Sequence, residues 1–207
     1  MKKRDAEASK EKIITNAKIL FSKKGFNASS MDELASMCDL NKAMVFYYFK
    51  NKQGLFEAVM KEVLEEIYNT IKKENQNQHN PIKELESFIK TYATFACEHP
   101  YLPSLLLKEL SDSGSVVPEQ LFANMRQLFE FFSEILKKGE KEGCFSDIIP
   151  MILYFMIIGT LNLMITTKQL RIKAHALSGV DTCSTCNIDE TSEYIMKKMK
   201  KMLKDKK

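Results

Sequence analysis

Apolar side chains recur along most of this chain at helical spacing, and no stretch alternates long enough to build a sheet. Ile13, Ala17, Leu20 and Phe21 fall at i, i+4, i+7 and i+8, with Lys10, Lys18 and Lys24 off that face, which predicts a helix over 9–24 stopped by Gly25. Ser30 then stands three residues before Glu33, the spacing of a capping box, and Met31, Leu34, Ala35 and Cys38 repeat at i, i+3, i+4 and i+7. Asp39-Leu40-Asn41 interrupts this short helix, and Asn41 is placed to cap another over Lys42 to Phe49, with Leu40, Val45 and Phe49 facing inward. A long helix from Lys52 to Lys73 follows, striped by Leu55, Val59, Val63 and Ile67 with Phe56, Met60 and Leu64 beside them. The tract Glu74 to Pro81 lacks core residues and reads as a loop. Further helices are predicted at about 82–97, 101–112, 118–142, 148–168 and 189–205, with 171–188 as a polar loop.

Two short helices joined by about three residues and packed on a longer one form the helix-turn-helix pattern, whose second helix enters the DNA major groove. The sharp turn needs a residue that tolerates the left-handed conformation, and Asp39 is among the better non-glycine choices. The expected architecture is all-α: a three-helix DNA-binding domain over 1–52, and a helical ligand-binding and dimerisation domain over 53–207.

Charge sharpens this division. Residues 1–52 carry eleven basic and six acidic side chains, a net +5 in a chain of net +4, so the remainder is −1. A basic first quarter suits a polyanion surface. Five cysteines, scattered and odd in number, do not make a secreted disulfide framework. The opening Met-Lys-Lys-Arg-Asp is followed by no apolar run, so no signal peptide is read and a cytoplasmic location is expected. Residues 148–165 carry no charge and reach the lower length of a membrane span, yet Pro150, Gly159, Thr160 and Asn162 interrupt them. Burial in a core or a subunit interface accounts for them equally well, and no membrane partner is expected. The three histidines stand at helix breaks or in a loop, and no glycine-rich phosphate loop exists, so no enzyme and no cofactor are indicated.

With those elements in place, the N-terminal third resembles the TetR family of bacterial regulators. The resemblance runs from Ile13 to about Met60: Ile13-Ile14-x-x-Ala17-x-x-Leu20-Phe21-x-x-x-Gly25-Phe26, then Ser30-Met31-x-x-Leu34-Ala35, then Val45-Phe46-Tyr47-Tyr48-Phe49-Lys50-Asn51-Lys52-x-x-Leu55. Two positions depart from the family's pattern. Cys38-Asp39-Leu40-Asn41 replaces its usual Ala-Gly-Val-Ser turn, and Phe46 replaces a tyrosine whose hydroxyl contacts phosphate.

The resemblance and helix-turn-helix docking together assign roles. Lys42, Ala43 and Met44 open the recognition helix and are the candidates for base edges. Met44 is equally well read as core packing. Ser30, Asn41, Tyr47, Tyr48 and Lys52 are candidates for phosphate, and one of the two adjacent tyrosines is expected in the core. Lys2, Lys3 and Arg4 read as a solvated arm. The resemblance implies a homodimer through 148–168 and 189–205, reading a palindromic operator in double-stranded DNA as a repressor released by a small-molecule effector. Asn162 would then lie in the interface and fix pairing register. Phe88, Tyr92, Phe95, Met125, Phe129, Phe132, Tyr154 and Phe155 are candidate lining for an apolar or aromatic effector. Cys183 and Cys186, with His175 upstream, resemble half of a metal or redox site without a fourth ligand, and no metal is assigned.

Overall fold

The computed structural model describes residues 3–111, 119–179 and 187–203, all ten of whose regular elements are helices. They are α1 (Lys3–Lys24), α2 (Met31–Met37), α3 (Lys42–Phe49), α4 (Lys52–Asn75), α5 (Pro81–Glu98), α6 (Tyr101–Ser111), α7 (Glu119–Lys141), α8 (Pro150–Thr166), α9 (Lys168–Ser178) and α10 (Ile188–Met202). The chain divides into two compact units: Met1–Glu65 with Ser104–Asn124, and Glu66–Pro103 with Met125–Lys207. The first unit runs past residue 52, where the sequence suggests a domain boundary, because α4 is one unbroken helix that contributes to both units.

In the first unit the predicted stripes close on one another. Ile13, Ala17, Leu20 and Phe21 of α1, Leu34, Ala35 and Cys38 around α2, Val45 and Phe49 of α3, and Leu55, Phe56, Val59 and Met60 of α4 are all buried. The rings of Phe21 and Phe26 both meet Phe56, at centroid distances of 5.4 and 5.2 Å. Burying side chains of this size contributes about 1.5–3 kcal/mol each, enough to hold the short α2 and α3, which would not persist alone.

In the second unit α5, α8 and α10 pack against each other. The core is built from Leu85, Phe88, Ile89 and Tyr92 of α5, Phe132 and Leu136 of α7, Leu153, Ile157 and Leu161 of α8, and Ile195 and Met199 of α10. Gly139 of α7 is required by close approach: a Cβ there would land inside the ring of Phe145, which folds back after the Gly143 turn at φ +70°. Asn187 and Glu190 form a complete capping box at the start of α10.

The segment expected as one helix over 148–168 and a loop over 171–188 is organised differently. α8 ends at Thr166, and α9 continues after a 67° bend to Ser178. Thr166 and Thr167 turn their hydroxyls back onto the carbonyls of Asn162 and Leu163, a substitution for the backbone ladder that bends helices. His175 is therefore helical rather than in a loop. Gly179, at φ +65°, stops α9 with its N–H donating to the His175 carbonyl at 2.9 Å. Among the described residues no single helix is long and apolar enough to cross a membrane.

Candidate DNA-contacting surface

The turn between α2 and α3 is set by side chains the sequence supplies in order. The Ser30 hydroxyl accepts from the Glu33 N–H at 3.1 Å, capping α2. The Glu33 carboxylate does not complete the expected box; it pairs with Lys24 at 2.6 Å instead. Asp39 adopts φ +50°, the left-handed conformation the turn demands. The Asn41 side chain accepts from the Ala43 N–H at 2.9 Å and so starts α3. Cys38 is buried under this turn, its sulfur 3.8 Å from the Lys12 carbonyl. Burial pushes its thiol up from the usual range, only partly offset by nearby Lys12 and Asn16, so it is a packing residue and not a reactive one.

The Phe49-Lys50-Asn51-Lys52 run is a structural device. Lys50 sits at φ +59°, ψ −51°, and the Asn51 N–H donates to the Phe49 carbonyl at 2.6 Å, a three-residue turn that few non-glycine residues adopt. The Asn51 side chain then accepts from the Gly54 N–H at 2.7 Å and caps α4. A Cβ on Gly54 would stand 2.7 Å from the Phe49 carbonyl oxygen, so glycine is needed for this approach. Lys52, expected to reach a phosphate, instead donates its ammonium to the carbonyls of Phe26 (2.9 Å), Asn27 (3.2 Å) and Ser29 (3.0 Å) and lies 4.5 Å over the Phe26 ring. An ammonium has three donors, and all three are spent inside the fold. Lys52 ties the α1–α2 loop to α4 with its donors engaged inside the fold.

What remains outward on α3 is a compact face. Lys42, Ala43, Phe46 and Tyr47 are exposed, Tyr47 by 79%, while Met44 is half-buried. Tyr48 is the inward one of the tyrosine pair: its hydroxyl is buried without a hydrogen-bond partner, so it offers no phosphate contact in this arrangement. Lys42 is held on both sides. Its ammonium pairs with Asp32 of α2 at 2.8 Å and lies 5.8 Å over the Phe46 ring. The sequence reading missed Asp32. Asp32 and Lys42 are ten residues apart on different helices, so only the turn geometry brings them together.

The other candidate residues fall in the second unit. Phe88, Phe132, Tyr154, Phe129 and Phe155 form a continuous aromatic cluster: Phe88–Phe132 at 5.1 Å, Phe132–Tyr154 at 5.4 Å, Phe129–Tyr154 at 5.5 Å and Tyr154–Phe155 at 6.0 Å. Phe155 is 56% exposed at one end, and Phe129 with Ser133, Lys137, Ile149 and Met151 lines an open cleft of about 530 Å³. Met125 is half-buried. Phe95 stacks on His99 at 4.3 Å. Tyr92 is wholly buried and donates its hydroxyl to the Asn162 side-chain oxygen at 2.8 Å. Burial pushes the Tyr92 and Tyr154 hydroxyls above their usual range, so both remain protonated. Asn162 therefore faces the core of its own chain, a correction to its expected place between subunits. Its position on an uncharged helix did not reveal which side it faced.

α8 and α10 present exposed Ile152, Phe155, Met156 and Leu163, with Tyr194 and Met202. Met156, Thr160, Met164, Tyr194 and Lys198 flank an apolar groove of about 640 Å³ between the two helices. Among the described residues no group of three His, Cys, Asp or Glu side chains could hold a metal, and Cys183 and Cys186 lie outside those residues.

Comparison with known proteins agrees with this geometry. The family described as "Bacterial regulatory proteins, tetR family" matches residues 13–59, and "YsiA-like protein, C-terminal region" matches residues 56–179, more than half of the chain. The probable HTH-type transcriptional regulator YttP of Bacillus subtilis is 28% identical over 65% of this chain, and the match spans 66% of that protein, just under two thirds of its length. HlyIIR, a hemolysin II transcriptional regulator, superposes with a TM-score of 0.68 at 25% identity, covering 97% of this chain and 99% of that one. AibR, solved in complex with isovaleryl coenzyme A and operator DNA, shares the fold with a TM-score of 0.70 at 18% identity, over 94% of this chain and 97% of that one. The helix-turn-helix, the all-helical second unit and these matches together show that the chain belongs to the TetR family of bacterial regulatory proteins, which are DNA-binding regulators of transcription and not enzymes.

Proposed function

We propose that this chain is a cytoplasmic, one-component repressor that binds a palindromic operator as a homodimer and is released by a small-molecule effector. The observation that carries the reading is the outward face of α3, with Lys42, Ala43 and Tyr47 exposed on a helix whose other side is fixed by Val45 and Phe49 in the core. A rigid helix of 8 residues with a cation near its N-terminal end is the element that reads base edges in helix-turn-helix docking. Lys42 donates to a guanine edge, Ala43 and the half-buried Met44 meet thymine methyls, and Tyr47, Ser30 and the Asn41 cap serve the phosphates.

One such helix reads too few base pairs for specificity, so two copies are required, and the apolar faces of α8 and α10 supply the contact. Burial of Met156, Leu163 and Tyr194 across a two-fold axis would remove from water a surface that a lone chain leaves open. The aromatic cluster around Phe129, Phe132 and Tyr154 supports an apolar or aromatic effector, since such pockets are lined mostly by aromatic and aliphatic groups. AibR, crystallised with both an acyl coenzyme A and operator DNA, supports the coupling by analogy of fold. The effector acts by binding one spacing of the two α3 helices better than the other.

The test is fluorescence anisotropy with labelled DNA from immediately upstream of the gene, against a scrambled duplex, across a salt series. The expected result is preferential binding to the upstream duplex that weakens steeply with salt, and loss of at least about tenfold in affinity for Tyr47→Ala with Lys42→Ala. Absence of binding to either duplex at low salt would overturn the reading.

A further inference from the structure

We infer that Asp32 is a specificity-determining positioning residue: it holds Lys42 for base readout and withholds it from the phosphates. The inference rests on α3 being the DNA-reading helix. Lys42 stands on the exposed side of α3, where a lysine that is free to swing reaches the nearest phosphate as readily as a base. Here it has a partner that biases its direction. Asp32, in the first turn of α2, takes its ammonium at 2.8 Å, and the Phe46 ring lies 5.8 Å below it. The neighbouring acid, Glu33, is engaged elsewhere with Lys24 at 2.6 Å, so Asp32 is the carboxylate that faces Lys42.

An ammonium carries three donors. With Asp32 engaged, the remaining donors stay near the start of α3, where base edges lie in the docked complex. Two contacts then share one cation: a carboxylate that fixes its direction and a base acceptor that reports sequence. On DNA with the wrong base, Lys42 can gain a phosphate beyond the reach of its Asp32-bound ammonium only by leaving Asp32. That exchanges one exposed ion pair for another and gains little. Asp32 thereby suppresses the sequence-independent part of Lys42's contribution and keeps the sequence-dependent part. Phe46 belongs to the same arrangement, offering Lys42 an aromatic face.

The experiment measures Asp32→Asn, Asp32→Ser, Lys42→Ala and the double variant Asp32→Asn with Lys42→Ala, as full-length proteins. Duplexes selected from a random library by the wild-type protein are compared with scrambled ones. Asp32 and Lys42 are solvent-exposed, and thermal melts check that each variant is folded. The expected result for Asp32→Asn is tighter binding to scrambled DNA by about three- to fivefold, with the salt slope on that DNA steeper by about 0.9 as one more phosphate is neutralised. Affinity for the selected duplex does not rise, and the base preference under the start of α3 relaxes in a repeat selection. In the Lys42→Ala background the substitution at Asp32 changes neither quantity. Equal tightening on both duplexes, or an Asp32 effect that persists without Lys42, would overturn the inference and leave simple charge repulsion. A wild-type protein that selects no duplex would instead defeat the DNA-reading assignment itself.

Discussion

At the scale of single residues, several side chains that resemble ligand contacts are holding the backbone. Lys52 is the clearest. Its three carbonyl partners and the Phe26 ring surround the ammonium, and hydrogen bonds to a charged group contribute about 1.5–3 kcal/mol where partly sheltered. Lys52→Met keeps the stem, removes the donors and leaves the carbonyls of Phe26 and Ser29 part-buried. Urea denaturation of this variant is expected to show a loss of about 2 kcal/mol, while a protein that folds retains its DNA affinity within about twofold. Unchanged stability with a steep loss of DNA binding would return Lys52 to the phosphates. The aromatic–Lys–Asn–Lys signature was legible as a motif, and its residues were legible as important. Their job was not, because a lysine reads the same whether it faces solvent, phosphate or a ring of carbonyls. By contrast Ser30, Asp39 and Asn41 were readable one by one. Caps and left-handed turns are local, and their chemistry is complete within three or four residues.

At the scale of elements, periodicity located the helices wherever one face is buried. The stripes of α1, α2 and α4 are buried as the spacing predicts. The exceptions are α8 and α9. α8 is apolar around its circumference, so its pattern assigns no inner face, and α9 has no buried residue at all, so no stripe marks it as a helix. Asn162 shows the consequence. On an all-apolar helix it could face either way, and only the contact with Tyr92 of α5 settles that it looks inward. Asn162→Leu is therefore expected to destabilise the chain by about 1–3 kcal/mol, because the Tyr92 hydroxyl loses its acceptor in a site without water access. Pairing it with Tyr92→Phe should recover much of that loss. Denaturation of the two single variants and the double variant makes this measurement, and it is informative only if oligomeric state, read by sedimentation, stays constant. A stability-neutral Asn162→Leu that alters self-association would place the residue between subunits after all. Ion pairs between elements behave differently. Glu86 is raised by partial burial, but its hydrogen bonds to Lys200 and Lys83 outweigh this and hold its carboxyl below the usual range. The link between α5 and α10 is thus fully present above the ordinary carboxylate pKa and is lost as pH falls through the lower folded value.

At the scale of the whole molecule, the proposed regulator draws its specificity from two copies. Each copy supplies one short recognition helix, and α8 and α10 leave an apolar face that a second copy can cover. The division of labour follows from where the charges and the apolar surface lie: an excess of basic residues in the first quarter, and exposed Met, Phe, Leu and Tyr side chains on α8 and α10. A two-fold arrangement constrains the DNA as well, since the two α3 helices must meet equivalent half-sites on one face of the duplex. The most direct test is hydroxyl-radical footprinting on the tightest duplex recovered by selection, with the number of bound chains measured by sedimentation on the same DNA. A two-fold dimer gives an even number of chains per site and a protected pattern with two-fold symmetry, its half-sites separated by about 10 base pairs or a multiple of that. A single chain saturating an asymmetric footprint would contradict it.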